Sequence, residues 1–157
     1  MRLWRIAAET RKYPADDLTG AGASISPGRW NAENEPVVYC APSIATAVLE
    51  TAAHVDSVGL PLNRFLVEIT VPDDVWSRRE EMLDPAKLPA TWAAIPAGHA
   101  SVALGSRWRA SARSALLLLP SVIVFEEPIA LINPKHPHAS RMSARIVRPF
   151  EYNRLYR

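Results

Sequence analysis

One hundred and fifty-seven residues suit one domain rather than two, because single cores usually run to about 100–150 residues. With 48% hydrophobic and 22% charged residues the composition is globular, which excludes disorder, collagen and coiled coil as descriptions of the whole chain. Eighteen Lys+Arg against sixteen Asp+Glu leave +2, too near balance for a general polyanion binder.

Leu3-Trp4-Arg5-Ile6 reads as a short first strand, and the early turn to polar residues at Glu9 leaves no apolar core for a signal peptide. Residues 14–36 carry Pro14, Gly20, Gly22, Pro27, Gly28 and Pro36, and so form a long loop of the kind that is often functional. Val37-Val38-Tyr39-Cys40 is a strand that Pro42 closes. Ser43 is suited to cap a helix over about 44–56, with Ile44, Val48, Ala52 and Val55 as its buried stripe. Arg64 to Val71 alternates, placing Phe65, Val67, Ile69 and Val71 on one face of a half-buried strand.

Between Pro72 and Pro96 the pattern predicts only a short helix around Glu80. Ser101 to Ala110 is a helix carrying Trp108, and Leu116–Leu119 and Val122–Phe125 are buried strands flanking Pro120-Ser121. Ile146-Val147-Arg148 runs toward Phe150 as a late strand. Strands and helices mix without regular βαβ alternation, so the expected class is α+β, a single domain over 1–157. The most apolar stretch, Ala115 to Ile132, is broken by Pro120, Glu126, Glu127 and Pro128, short of the roughly 20 apolar residues a membrane span needs.

The charge is unevenly spread. Residues 1–97 hold nine bases and thirteen acids, whereas residues 98–157 hold nine bases and three acids. Fifteen of the bases are Arg, whose planar fork suits phosphate and carboxylate partners, although an Arg-rich genome produces the same skew. A single cysteine, Cys40, excludes an internal disulfide and a multi-Cys zinc site, and points to a reducing, cytoplasmic setting.

Three constellations could carry chemistry. Gly28-Arg29-Trp30-Asn31 lies just before Tyr39; glycine admits a close ligand, and arginine clamps phosphate. Either residue read alone is equally a surface ion pair or a core aromatic. Glu50 and His54 share one helix face at i, i+4 spacing, about 200° from Val48, which fits a solvated pair as well as a site. A two-ligand metal reading finds no third ligand at a recognisable spacing. Ser121 lacks the Gly-x-Ser-x-Gly setting of a hydrolase nucleophile. Arg107-Trp108-Arg109 with Arg113 interleaves cations and an aromatic ring, as single-stranded nucleic-acid sites do, but also as a solvated helix face does.

Taken in order, these pieces resemble the RES domain, the toxin half of RES–Xre toxin–antitoxin modules. The resemblance rests on Leu3-Trp4-Arg5-Ile6, Gly28-Arg29-Trp30-Asn31, Pro36-Val37-Val38-Tyr39 and Ala47-Val48-Leu49-Glu50 through His54. It resumes at Leu119-Pro120-Ser121-Val122-Ile123-Val124 and Leu131-Ile132-Asn133-Pro134-Lys135-His136-Pro137. The chain departs from the family pattern at Phe125-Glu126-Glu127-Pro128 and around Arg107-Trp108-Arg109. The name-giving Arg, Glu and Ser match Arg29, Glu50 and Ser121.

The resemblance implies an ADP-ribosyltransferase-like fold and consumption of NAD+ as substrate, with no permanently bound cofactor and no metal. NAD+ breakdown with phosphate or water as acceptor is the leading expectation, with ADP-ribosylation of a protein as the alternative. Glu50 would hold a ribose hydroxyl and stabilise the oxocarbenium-like state, Arg29 would clamp the pyrophosphate, and Tyr39 would stack on nicotinamide. Ser121, His54, Arg5 and Asn31 would add substrate contacts. The basic C-terminal 60 residues would suit the pyrophosphate, or an acidic segment of an Xre-like antitoxin blocking the same cleft.

Overall fold

The computed structural model describes residues 1–53 and 62–155. Two sheets organise it. The first is antiparallel, with β1 (Arg2–Ala8) and β7 (Ser143–Phe150) on either side of β3 (Arg64–Thr70). The second runs β2 (Val38–Cys40), β6 (Pro128–Ile132), β5 (Leu116–Pro120) and β4 (Glu80–Glu81). Its pairings are antiparallel except for β4 with β5. A bridge between Trp4 and Ala41 joins the sheets. The α+β class expected from the sequence holds.

Leu3, Val67 and Ile69 meet Val38, Leu116, Leu118, Ala130 and Ile132 in the core between the sheets. The alternate residues Leu117, Leu119, Ile129 and Leu131 face the other way, under Trp30, Trp92, Leu104 and Trp108. Burial on both faces explains why Leu116–Leu119 is an unbroken apolar run rather than an alternating one. Each such leucine cut to alanine is expected to cost about 2–5 kcal/mol.

Helix α4 (His99–Ser111) covers that second face, and Gly105 is what lets it come so close. A Cβ there would lie 1.8 Å from the Trp30 carbonyl oxygen. In α2 (Ile44–Ala52), Ser43 caps as expected, its hydroxyl accepting from the Thr46 N–H at 3.1 Å.

Several expectations are corrected. The buried stripe of α2 begins at Thr46, Ala47 and Val48 while Ile44 faces solvent, because the first turn packs through Thr46 toward Glu127. Val55 lies outside the described residues. Leu66 and Glu68 are buried too, so β3 is a central strand covered on both faces, with Glu68 accepting from Arg145 Nε at 3.0 Å. The segment at Glu80 is a strand pairing with β5, and the helix falls earlier, at α3 (Asp73–Trp76). Val122–Phe125 is a turn and the second hairpin strand is β6, since the Ser121 hydroxyl accepts from the Ile123 and Val124 N–H groups and bends the chain. Among the described residues no helix is long and apolar enough to cross a membrane.

Candidate active site

The long loop of residues 14–36 folds against the mouth of the second sheet and contains one short helix, α1 (Ala21–Ile25). Its organiser is Asn31, which is buried. The Asn31 Oδ1 accepts from the Gly28 N–H at 2.9 Å and from the Tyr39 hydroxyl at 2.8 Å. Its Nδ2 donates to the carbonyls of Ala23, Ala32 and Glu35 at 2.9–3.0 Å. Glu35 in turn accepts from Ser106 and Arg109 of α4, tying the loop to that helix.

Between this loop, α2 and the start of α4 lies a cleft of about 1380 Å³, ample for a dinucleotide when ligand pockets usually run to about 300–1,000 Å³. Arg5, Arg29, Tyr39 and Glu50 all line it, so the structure brings together four residues that stand far apart in the chain. A smaller cavity of about 120 Å³ opens behind Glu50, walled by Trp4, Ile6, Ala47 and Ile129.

Glu50 is half-buried, and its Oε1 is buried without a hydrogen-bond partner among the described residues. The turn of about 200° from Val48 thus aims the acid at the cleft, not at open solvent. Arg29 is half-buried, and its Nη1 donates to the carbonyls of Trp92 at 2.8 Å and Ala94 at 2.7 Å. Burial lowers its pKa and the Glu50 carboxylate opposes that, so guanidinium and carboxylate feel each other across the cleft. Arginine keeps its charge at neutral pH regardless.

The Tyr39 hydroxyl donates to Asn31 and accepts from the Trp30 N–H at 2.9 Å, which leaves only the ring to meet a ligand. Burial raises its pKa, so it stays a neutral phenol. Gly28 packs directly on that ring: a Cβ there would sit 2.7 Å from the phenol carbon and oxygen. Arg5 forms part of the floor, donating from Nη1 to the Asp17 carbonyl at 3.1 Å. Burial lowers its pKa, opposed by Cys40, Asp17 and Tyr13.

Of the other expected site residues, Asn31 also lines the cleft. Both oxygen and nitrogen of the Asn31 amide are engaged by the loop, so this side chain holds the site instead of offering itself to substrate. Ser121 is buried in the turn after β5, its oxygen occupied by two backbone N–H groups, while Val122 and Ile123 beside it line the cleft. His54 lies outside the described residues. Trp108 is buried and donates from Nε1 to Ser114, while Arg109 and Arg113 pair with Glu35 and Glu80, which removes the stacking surface of the nucleic-acid reading.

The C-terminal portion contributes His99, Val122 and Tyr152 to the cleft wall, but none of its described Lys or Arg side chains. Of its described bases, Arg141 and Arg145 pair with Asp74 and Glu68, and among the described residues the cations lining the cleft are Arg5, Arg29 and Arg64, with His99 beside them. Tyr13, Asp17, Arg64 and His99 went unread in the sequence, because nothing in their spacing links them to Arg29 or Glu50. Among the described residues no group of three or more His, Cys, Asp or Glu side chains is placed to hold a metal ion.

The RES domain family model matches residues 2–154. The chain is 55% identical over 150 residues to a "Prs ADP-ribosylating toxin" of Sphingobium sp. (strain YBL2), covering 96% of this chain and 92% of that protein. It is 34% identical to a "Toxin Res" of Yersinia enterocolitica, over 87% of this chain and 86% of the relative. Its fold matches a chain of the M. tuberculosis MbcT–MbcA toxin–antitoxin complex with a TM-score of 0.67, at 17% identity, covering 94% of this chain and 84% of that one. The family match spans nearly the whole chain and the relatives are similar over most of their length, and the chain belongs to the RES domain family.

Proposed function

We propose that this chain is the toxin of a toxin–antitoxin pair and that it cleaves NAD+ at the nicotinamide–ribose bond, passing ADP-ribose to an acceptor. The observation that carries the reading is the buried Glu50 Oε1, without a hydrogen-bond partner among the described residues, in the same cleft as Arg29. A cleft that holds the tethered guanidinium of Arg29 and a carboxylate without a hydrogen-bond partner at Oε1 among the described residues suits a substrate with an anionic pyrophosphate and a ribose that turns cationic as its bond stretches.

Arg29 binds the pyrophosphate, with Arg5 adding positive charge to the floor. The Tyr39 ring packs on nicotinamide, and Glu50 accepts from a ribose hydroxyl and stabilises the oxocarbenium-like state. Nicotinamide departs with the electron pair of the broken bond. The acceptor nucleophile then bonds to the ribose carbon and gives up its proton. The step involves no oxidant or reductant.

A protein side chain is the acceptor favoured by the 55% identical relative, which is an ADP-ribosylating toxin. Phosphate or water would give NAD+ breakdown, the leading expectation from the sequence, through the same first step. NAD+ chemistry implies a cytoplasmic setting. An antitoxin that fills the cleft is the natural inhibitor, and the carboxylate of an inserted segment would meet Arg29 and Arg5. Saturating ADP-ribose should then slow formation of the complex; equal binding of ADP-ribose to free and complexed toxin would refute occlusion.

The deciding experiment incubates the purified chain with isotopically labelled NAD+, with and without phosphate and with cell lysate, and follows products by mass. Label on protein marks transfer, ADP-ribose 1″-phosphate marks phosphorolysis, and free ADP-ribose marks hydrolysis. Undiminished NAD+ in all arms would overturn the proposal.

A further inference from the structure

Arg29 and Glu50 face one cleft with opposite charges, yet among the described residues no ion pair joins them and the Glu50 Oε1 has no partner. Partly buried carboxylates and guanidiniums ordinarily close on each other, because an unpaired charge out of water is costly. What holds the arginine back is the chain at residues 92–94. A guanidinium has five N–H donors, two on each terminal nitrogen and one on Nε. Arg29 Nη1 donates to two carbonyls, Trp92 at 2.8 Å and Ala94 at 2.7 Å, so both of its hydrogens are taken. The one edge left for a bidentate contact is Nε with Nη2.

The two carbonyls are themselves well held. Trp92 is buried, stacked on Trp30 with ring centroids 6.3 Å apart and tilted against Phe125 at 5.0 Å. Its N–H donates to the Pro89 carbonyl at 2.8 Å, and the Ala94 N–H donates to Thr91 at 3.1 Å. Trp30 is fixed in turn by Tyr39 at its N–H and by the close approach of Gly105 at its carbonyl. A rigid path therefore runs from the core to one side of the guanidinium.

We propose that Trp92 is a positioning residue for the reaction: it holds the carbonyls of residues 92 and 94 so that they tether Arg29, turn its Nε–Nη2 edge to the substrate, and keep it from neutralising Glu50. The substrate in this statement rests on the NAD+ reading above, whereas the tether is a property of the fold. Untethered, Arg29 would offer phosphate a variable edge and compete with the ribose for the Glu50 carboxylate. Both KM and kcat would suffer.

The test is a double-mutant cycle on the full chain. Trp92→Leu should lower kcat/KM for NAD+ about tenfold with Arg29 present, in line with the cost of small misplacements of binding groups, and less than about twofold in the Arg29→Ala background. Trp92→Phe, which keeps a ring between Trp30 and Phe125, should restore most of the activity. A merely structural role would give equal losses in both backgrounds, which would overturn the proposal.

Labelling of Arg29 by an α-dicarbonyl reagent, read by peptide mass, follows the tether without any turnover. It should be slow in the native chain and several-fold faster in Trp92→Leu. If that variant does not fold, Phe125→Ala carries the test, since Phe125 is 47% exposed and its loss leaves the core filled. Unchanged labelling in a folded variant would refute the tether. A wild-type chain that consumes no NAD+ would instead refute the function proposed above, and the labelling result would still decide the tether.

Discussion

Replacing Glu50 by Gln separates function from stability. The substitution keeps the size of the side chain and removes one negative charge. Since Oε1 makes no hydrogen bond among the described residues, no protein hydrogen bond at that oxygen is lost with the charge. Losing an unpaired, partly buried carboxylate relieves a desolvation cost, and what it gives up is its attraction to Arg29, which two carbonyls hold independently. The melting temperature should therefore stay level or rise. At the transition state the balance reverses. A carboxylate about 4 Å from a developing positive charge, at an effective dielectric constant of about 20, is worth roughly 4 kcal/mol. Loss of one such preorganised group typically lowers turnover about 10²–10³-fold. The assay is nicotinamide release at saturating NAD+, run beside a thermal melt. More than a tenth of wild-type turnover would remove Glu50 from the mechanism. A melt lowered by several degrees would make it a structural residue.

The remaining predictions follow from particular contacts. Arg29→Ala should raise the KM for NAD+, and Arg29→Lys should restore little, since an ammonium has no flat edge to offer once it reaches the Trp92 and Ala94 carbonyls; full recovery with Lys in steady-state kinetics would show that charge alone suffices. Gly28→Ala pushes a methyl group into the Tyr39 ring, with an expected stability loss of about 1–3 kcal/mol in denaturant titration and weaker NAD+ binding. Ala112 ends α4 with φ 49°, so Ala112→Gly should stabilise the chain by about 0.5–1 kcal/mol in the same titration. Burial pushes the Cys40 thiol up to about 12, so it should resist alkylation in the native chain at pH 9 and react once unfolded. Because its folded pKa is raised, its contribution to stability is complete below the ordinary value of 9.0 and falls away as pH climbs toward about 12.

Much of the site was legible because it is written in short, ordered pieces. Gly28-Arg29, Tyr39 and Glu50 each stand in a local setting that residue type and helix geometry describe, and the structure gathers them around one cleft. How Asn31 and Ser121 are engaged was not legible, for one shared reason. A polar side chain in a loop looks available in sequence, but whether its lone pairs and protons are already taken depends on backbone groups brought near by folding. The tether on Arg29 was invisible on the same ground, since its acceptors lie 63 and 65 residues away and are backbone carbonyls that any residue supplies.

By itself the sequence determined the α+β class, the position of β3, the Ser43 cap of α2 and the unbroken apolar run of β5, all of which are matters of local propensity and capping. Tertiary structure decided which faces were covered. Leu66 and Glu68 lie inside because β3 is central, and the apolar Val122–Phe125 lies outside because Ser121 turns the chain there. It also decided where the charge went. Four of the nine bases after residue 98, Arg109, Arg113, Arg141 and Arg145, pair with acids from the first half, Glu35, Glu80, Asp74 and Glu68, while the cleft takes Arg5, Arg29 and Arg64 from that same acidic half. Periodicity reports which side of an element is apolar, whereas ion pairing acts over a few ångströms in space, and no count along the chain measures that distance.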